Sequence, residues 1–483
     1  MQLSVHDIAE ATGGAIMMPA DPIYRTVRGI SWDSRTVERD DLYIALEGER
    51  VDGHAFCGHA FRAGSACALV QKPLGPDAID AARISGAAVI RVSDVMRAVR
   101  DLAARWRGRL DGKVIALTGS SGKTSTKNMV RDVLSAAMEV CATEGNQNNE
   151  LGVPATLLRA GEHTPAVVVE MGMRGLHQLE DLCSFVKPDL ALVTNVGTSH
   201  MELLGSRDNI ARAKAEALAA VPGTGCVFVN SSDDFARELV EYGRVREHGA
   251  ELICYDGSGA DPLDYPADLC PTIFAADVGL DAEGFPSFML CTPAGKAPVK
   301  LALRGAHSVH NAVAAAAIAC TFGLQPDLIA QALAGSHASS GRQDVITAPS
   351  GAVVVDDAYN ANPDSMRASL AMFSSMRLDG LRVAVLGDMG ELGALSPAAH
   401  REVGAQAAGA SLDRLICVGE LARGIADGAR AAGMPASAVL EVSDAHAALA
   451  ALEGSLSAGD GVLVKASHSM HLEQVVEGLT ASC

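Results

Sequence analysis

The run Thr118-Gly119-Ser120-Ser121-Gly122-Lys123-Thr124-Ser125 has the residue types and spacing that phosphate chemistry needs. Glycines let a backbone wrap an anion, and N–H groups at a helix start point at it. Lys123 can then reach the terminal phosphates, and the Thr124 hydroxyl can ligate Mg²⁺. Leu117 stands where the general GxxxxGK[ST] pattern has its first glycine, so an ordinary tight turn is the competing reading. In Val167-Val168-Val169-Glu170-Met171-Gly172 a carboxylate ends an apolar strand. Ligands of open α/β sheets sit at such strand ends, which makes Glu170 a Mg²⁺ ligand candidate against the alternative of a solvated glutamate. Thr194-Asn195-Val196-Gly197-Thr198-Ser199-His200 repeats the placement, with His200 either a metal ligand or a structural hydrogen-bonding group. Lys214, in Arg212-Ala213-Lys214-Ala215-Glu216, reads as an ordinary solvated helix charge. Asp356-Asp357-Ala358-Tyr359-Asn360-Ala361-Asn362-Pro363 crowds polar groups into a strand-to-helix turn. Two consecutive Asp exceed what helix capping requires, so ligand contact is favoured over a plain capping turn.

These residues need a scaffold that brings strand ends together. Apolar β-branched strands alternate with helices: KVIALTG precedes a helix from Lys123, VVVEMG one near Leu176, and LALVTNVG one from Arg207. Such alternation implies a mostly parallel sheet covered by helices. Residues 262–304, with Pro and Gly punctuation, read as an antiparallel insertion, and Asn311–Leu324 as a buried helix. A second α/β series begins near Gly351, with strands AVVVDD, LRVAVLGD, RLICVGE and GVLVKAS. Trp106–Lys113 reads as a polar connector. The expected fold class is therefore α/β with three domains. These are a small α/β N-terminal domain (1–108), a central phosphate-loop domain with a parallel sheet and antiparallel insertion (109–338), and a C-terminal Rossmann-like domain (339–483).

Composition narrows the partners. The 483 residues are 48 % hydrophobic, which is ample for three cores, and only 4 % aromatic, which disfavours base-stacking surfaces. A net charge of −19 repels nucleic acid and anionic lipid at long range. No apolar run is long enough to span a membrane, and no signal peptide is read, so the expected location is the cytoplasm. The 11 cysteines are scattered without a CxxC pair, as expected of reduced core thiols.

The ordered set TGSSGKTS, EGNQNNELGVP, EMG, TNVGTSH, GAHSVHN, GR, DDAYNANPDSM, LGDMGELG and KASHSM resembles the Mur ligases of peptidoglycan synthesis over essentially the whole chain. The resemblance implies an ATP-dependent ligase that activates a carboxylate as an acyl phosphate and passes it to an amine. NNELGVP, YNANPDSM and LGDMGELG point to D-alanyl-D-alanine as the amine and UDP-N-acetylmuramoyl-tripeptide as the acid. It further implies ATP binding by Gly119, Ser120, Ser121, Gly122, Lys123, Thr124 and Ser125, and two Mg²⁺ held with Glu170 and His200. Lys214 falls at a position carbamylated in several members, where it would become a metal-ligating anion. Asn311 matches an adenine contact, Arg342 an arginine near the γ-phosphate, and Asp357 and Tyr359 nucleotide contacts of the last domain. Asp33, Ser34, Arg35, Asp52, Gly53 and His54 match the UDP end. Asn148 and Asn149 match cleft-lining positions, and Asn362, Lys465 and Ser467 substrate positions. Two departures stand out: Ser308 replaces an Asn of GxHNxxN, and His468 replaces the Arg of KGSRS. No nucleic-acid or membrane partner is expected, and the chain is expected to act as a monomer. Sibling ligases with another acceptor, and a phosphate-loop switch protein, are the rival readings.

Overall fold

A computed structural model describes residues 1–19, 25–48, 51–338 and 341–481. The strand Lys113–Thr118 sits mid-sheet because its residues Val114 to Thr118 are apolar or small and buried on both faces. Its sheet has nine strands, in the order Gly295–Lys300, Pro286–Thr292, Ile273–Leu280, Glu251–Asp256, Cys226–Asn230, Leu190–Val193, Lys113–Thr118, Ala166–Glu170 and Val140–Ala142. After Lys113–Thr118 the chain adds strands first on one side and then, from Leu190, on the other. That reversal opens a crevice at the carboxyl ends, where the phosphate loop lies.

The segment read as an antiparallel insertion does pair antiparallel, and it extends the edge of this sheet. Tyr255 and Asp256 pair in parallel with Ile273 and Phe274, and two antiparallel strands follow. The outermost strand carries Lys296, Pro298 and Lys300. On one face the helix Lys123–Ser135 packs with His307–Thr321, whose alanines are buried almost all round.

The N-terminal sheet has five strands, ordered Ala15–Met18, Ala88–Arg91, Cys67–Val70, Asp41–Ile44 and Gly29–Ser31. Its junction with the central sheet corrects the connector reading of 106–113. Trp106 ends the helix Val95–Arg107, is 1 % exposed, and donates from Nε1 to Ala160 O at 3.0 Å. One apolar cluster runs from Leu3, Ile8 and Leu102 through Trp106 to Val153, Leu157 and Val167.

The C-terminal sheet has six strands, ordered Asp344–Thr347, Val353–Asp356, Gly461–Lys465, Arg382–Gly387, Arg414–Val418 and Val439–Val442. Its first and last strands were not read from the sequence. Its two apolar clusters are separate from those of the rest of the chain. The expected boundary at 338/339 abuts Ser339 and Ser340, which lie outside the described residues. Every cysteine among the described residues is a free thiol. Among those residues no helix is long and apolar enough to cross a membrane.

Candidate active site

The phosphate loop is held by the neighbouring strand end. Ser120 N and Ser121 N donate to Asn195 O (3.0 Å) and Asn195 Oδ1 (2.9 Å), and Thr194 Oγ1 donates to Ser121 O at 2.7 Å. Gly119 has φ +152°, and a Cβ there would lie 1.8 Å from Thr194 Oγ1. Gly122 has φ +76°, and a Cβ there would lie 2.6 Å from Asn311 Oδ1. Both positions therefore need glycine for conformation and for space. Lys123 Nζ donates to Gly119 O at 2.7 Å, and burial lowers its pKa from the ordinary lysine value.

Glu170 is 1 % exposed. Its Oε1 accepts from Thr124 Oγ1 (3.1 Å) and Asn148 Nδ2 (2.9 Å), and its own N–H donates to Thr143 Oγ1 at 2.9 Å. Its Oε2 is buried without a hydrogen bond, with Lys127 Nζ 3.7 Å away. A buried carboxylate oxygen with no hydrogen bond beside a threonine hydroxyl suits a hard divalent cation, which takes oxygen donors and keeps waters or phosphate oxygens for the rest. The residues present thus fit Mg²⁺. Among the described residues, no group of three or more His, Cys, Asp or Glu forms a closed cage.

His200 has φ +63°, an uncommon backbone state for a non-glycine residue. Its Nδ1 lies 2.6 Å from Glu391 Oε2, and this pairing holds the Glu391 carboxyl below its ordinary pKa. Lys214 departs from the solvated-charge reading. It is 1 % exposed and makes no hydrogen bond or ion pair among the described residues. Burial, with the field of Lys123, drives its pKa well below the ordinary lysine value, so a neutral amine is favoured there. Asp233, which favours its charge, accepts from Val196 N (2.8 Å) and Phe235 N (2.9 Å), and burial pushes its carboxyl up to about 6.

The C-terminal sheet faces this loop across a cleft of about 1980 Å³. Ser120 to Ser125, Asn148, Asn149, Glu170, His200, Asn311, Arg342, Asp357, Tyr359, Asn362, Lys465 and Ser467 all line it, and Lys214 does not. Asn362 caps the helix Pro363–Ser375 and donates from Nδ2 to Ser121 Oγ (3.0 Å) and Ser199 Oγ (2.9 Å). Tyr359 stacks on His468 at 5.6 Å, lies 4.1 Å beneath the Arg342 guanidinium, and accepts from Asn146 at its hydroxyl. Asp357 is paired with Lys465 at 2.8 Å and with the Ser369 hydroxyl. Lys465 also donates to Asn360 O (2.9 Å), and Ser467 Oγ accepts from Gly390 N (2.8 Å). Ser308 donates to Arg304 O at 2.8 Å within its own helix, so its hydroxyl is used internally. Asn311 accepts at Oδ1 from Thr126, and Asn149 Oδ1 accepts from Gly152 N at the start of the helix Gly152–Arg159.

The N-terminal candidates do not join this cleft. Arg35 forms a forked pair with Asp33 (2.6 Å at Nη2), which holds the Asp33 carboxyl down at about 2. Ser34 lies between them. Asp52 meets Lys72 at 2.9 Å and His54 Nδ1 at 2.6 Å, and Gly53 N donates to Leu46 O. His54 Nε2 accepts from Gln71 N at 2.9 Å, so both of its ring nitrogens are engaged within the protein.

Sequence reasoning missed Lys127, Thr143, Asn195, Asp233 and Glu391. Asn195 and Glu391 lay inside quoted motifs. Lys127 lies four residues after Lys123, one helical turn along the same face, a spacing that would have exposed it.

A phosphate loop at a sheet's switch point, facing a second α/β domain across a polar cleft, defines the class: a three-domain ATP-dependent ligase. Residues 117–319 match the Mur ligase middle domain, 341–468 the Mur ligase glutamate ligase domain, and 26–107 the Mur ligase family catalytic domain. A relative from Mycobacterium tuberculosis named UDP-N-acetylmuramoyl-tripeptide–D-alanyl-D-alanine ligase is 36 % identical, over 100 % of this chain and 98 % of its own length. The crystal structure of MurF from Acinetobacter baumannii superposes with a TM-score of 0.82 at 30 % identity, covering 99 % of both chains. MurF from Thermotoga maritima in complex with ADP gives 0.75 at 26 %, covering 94 % and 97 %. The chain belongs to the Mur ligase family.

Proposed function

We propose that this chain joins D-alanyl-D-alanine to UDP-N-acetylmuramoyl-tripeptide, with ATP cleaved to ADP and phosphate, in peptidoglycan precursor synthesis. The observation that carries the reading is the meeting of the phosphate loop, Glu170 and the Tyr359–Asn362 turn in one cleft. The tripeptide carboxylate attacks the γ-phosphorus of ATP, giving an acyl phosphate and ADP. The amine of the dipeptide then adds to the acyl carbon, and the tetrahedral intermediate collapses to amide and phosphate.

The obstacle is an anion approaching a polyanion. Lys123 and Arg342 offset that repulsion from the phosphate side, and loop amides fix the phosphates in line. Magnesium, when bound, neutralises phosphate charge and orients oxygens. Thr124, Glu170 and His200 would hold one ion, and Lys214 as a carbamate a second. Burial, with the field of Lys123, lowers the Lys214 pKa and so favours the neutral amine, the form that adds carbon dioxide. Asn148 fixes the Glu170 carboxylate, Asn149 fixes the loop beside it, and Asn311 seats Gly122 against the adenine side. Asp357, Tyr359, Lys465 and Ser467 bring the C-terminal domain to nucleotide and dipeptide. Asn362 ties its approach to the loop, which excludes water that would hydrolyse the acyl phosphate. His468 stacks on Tyr359 at the position where the resembled KGSRS pattern has Arg, so dipeptide positioning relies more on Lys465 and Ser467. Asp33, Ser34, Arg35, Asp52, Gly53 and His54 form the UDP end, with Asp52 and His54 shaping the turn more than touching ligand. Residues 1–108, 109–338 and 339–483 act as substrate, ATP and acceptor domains of a cytoplasmic monomer.

The test is phosphate release from ATP with UDP-linked tripeptide and one added amine at a time. D-alanyl-D-alanine should drive release, and D-alanine or diaminopimelate should not. Release driven equally by diaminopimelate would assign the chain to a sibling ligase, and release needing a protein partner would assign it to a switch.

A further inference from the structure

The loop 388–392, which follows the strand Arg382–Gly387, carries the C-terminal domain's contact with His200. It is anchored within its own domain. Asp388 O accepts from Ser467 N at 3.0 Å, and the Asp388 carboxylate accepts from Ala422 N at 2.7 Å. Gly390 N donates to Ser467 Oγ at 2.8 Å. Met389 N donates at 3.0 Å to Nε2 of His400, a buried ring whose Nδ1 donates to Ser396 O at 2.7 Å. A loop held this way presents its next side chain in a fixed direction.

That side chain is Glu391. Glu391 and His200 have φ of +61° and +63°, so two non-glycine residues in the left-handed region meet across the domain junction. Such backbone is costly, and it persists where the surroundings over-determine it, commonly at functional sites. The main chain of the loop also grips the segment after His200. Glu391 O accepts from Glu202 N at 3.0 Å, and Gly393 packs so closely that a Cβ there would lie 3.0 Å from Glu202 Cα. The two carboxylate oxygens of Glu391 face different partners: Oε2 lies 2.6 Å from His200 Nδ1, and Oε1 lies 3.7 Å from Arg174 Nε. His200 Nδ1 is buried without an aligned hydrogen bond, and Glu391 is its only ion-pair partner among the described residues.

We propose that Glu391 is a positioning residue for the metal centre: its carboxylate holds the ring proton of His200 on Nδ1 and leaves the Nε2 lone pair for the metal. The inference rests on the ligase reading above, in which His200 is a magnesium ligand. A carboxylate on one ring nitrogen fixes the tautomer and raises the basicity of the other nitrogen. The central domain supplies Thr124, Glu170 and His200, whereas the group that orients the histidine comes from the C-terminal domain. The ligand set is therefore complete only when that domain is docked over the phosphate loop. Docking and metal affinity then favour each other to the same degree. An open chain would hold the metal more weakly, which restrains attack on ATP before the acceptor domain is in place. The competing reading is a plain latch, in which Glu391 pairs with Arg174 and His200 for adhesion alone.

The test is a titration of Mn²⁺, a paramagnetic substitute for Mg²⁺, into the full chain with ADP, read by loss of the free-ion EPR signal. Glu391→Ala should weaken metal binding by about 10- to 100-fold. Glu391→Gln, which keeps an acceptor for the Nδ1 proton without the charge, should lose less. Arg174→Ala, which loosens the latch and leaves the histidine pair, should change the affinity by no more than about twofold. In ligation, the Glu391→Ala defect should shrink as Mg²⁺ is raised. Equal Mn²⁺ affinity in wild type and Glu391→Ala overturns the inference, and a ligation defect that no amount of Mg²⁺ relieves then assigns Glu391 to a latch. Equal losses of metal affinity in Arg174→Ala and Glu391→Ala also overturn it. Either result leaves the ligase reading intact so long as D-alanyl-D-alanine drives phosphate release by the wild type. Absence of that release overturns the ligase reading itself.

Discussion

The two junctions of this molecule are built on opposite principles. Between the N-terminal and central sheets, Trp106, Leu102 and Val153 belong to one continuous apolar cluster. Between the central and C-terminal sheets, the described contacts are polar: Asn362 to Ser121 and Ser199, Glu391 to His200, and Asn146 to Tyr359. Apolar burial is non-directional and lost only by opening the whole surface, which suits a fixed mount for a large substrate. A few hydrogen bonds exchange with water at little net cost, which suits a junction that opens each cycle.

The largest test of this contrast is Lys123→Ala. Placed in the polar junction and aimed at phosphate, its loss should cut ligation by roughly 10⁴-fold with the thermal unfolding curve intact. Near-normal turnover would sink the assignment of chemistry to that junction. Trp106→Ala should do the reverse, costing about 3–5 kcal/mol of stability in denaturant titration while kcat of the folded fraction holds. A small stability loss would show that the apolar junction is not one core.

Asp233→Asn tests the charge stored at the polar cleft. The folded Asp233 carboxyl titrates at about 6, above its unfolded value near 3.9, so its stabilising contribution is complete below pH 3.9 and is lost as pH rises through 6. The neutral variant should therefore gain about 2 kcal/mol relative to wild type between roughly pH 4 and pH 7. A pH-independent difference between the two denaturation curves would contradict that titration. The smallest effect belongs to Asn362→Ala, expected to lower kcat about tenfold through the lost bridge to Ser121 and Ser199, with unfolding little changed. An unchanged kcat would remove Asn362 from closure.

How much of this was legible follows from range. The phosphate loop, the strand-end Glu170 and the capping turn at Asn362 are local patterns, and each formed where its residues stood. Lys214 was read as solvated because a lysine on a helix ordinarily is. Its helix, Arg207–Ala219, packs against Gln178–Val186, Leu190–Val193 and Ala236–Tyr242, packing that no local pattern announces. Trp106 was hidden inside a charged stretch, and its partner Ala160 lies 54 residues away. The pairings of His200 with Glu391 and Asp357 with Lys465 cross more than a hundred residues, beyond any periodicity.

The continuous nine-stranded sheet ends at Gly295–Lys300, whose outer edge is a template for pairing with another chain. Lys296 and Lys300 repel a second copy, and Pro298 lacks an N–H to donate. Deleting the hairpin that precedes and includes this strand, as an ornament, would strip that guard from Ile273–Leu280 and leave its unpaired backbone open to pairing with another chain.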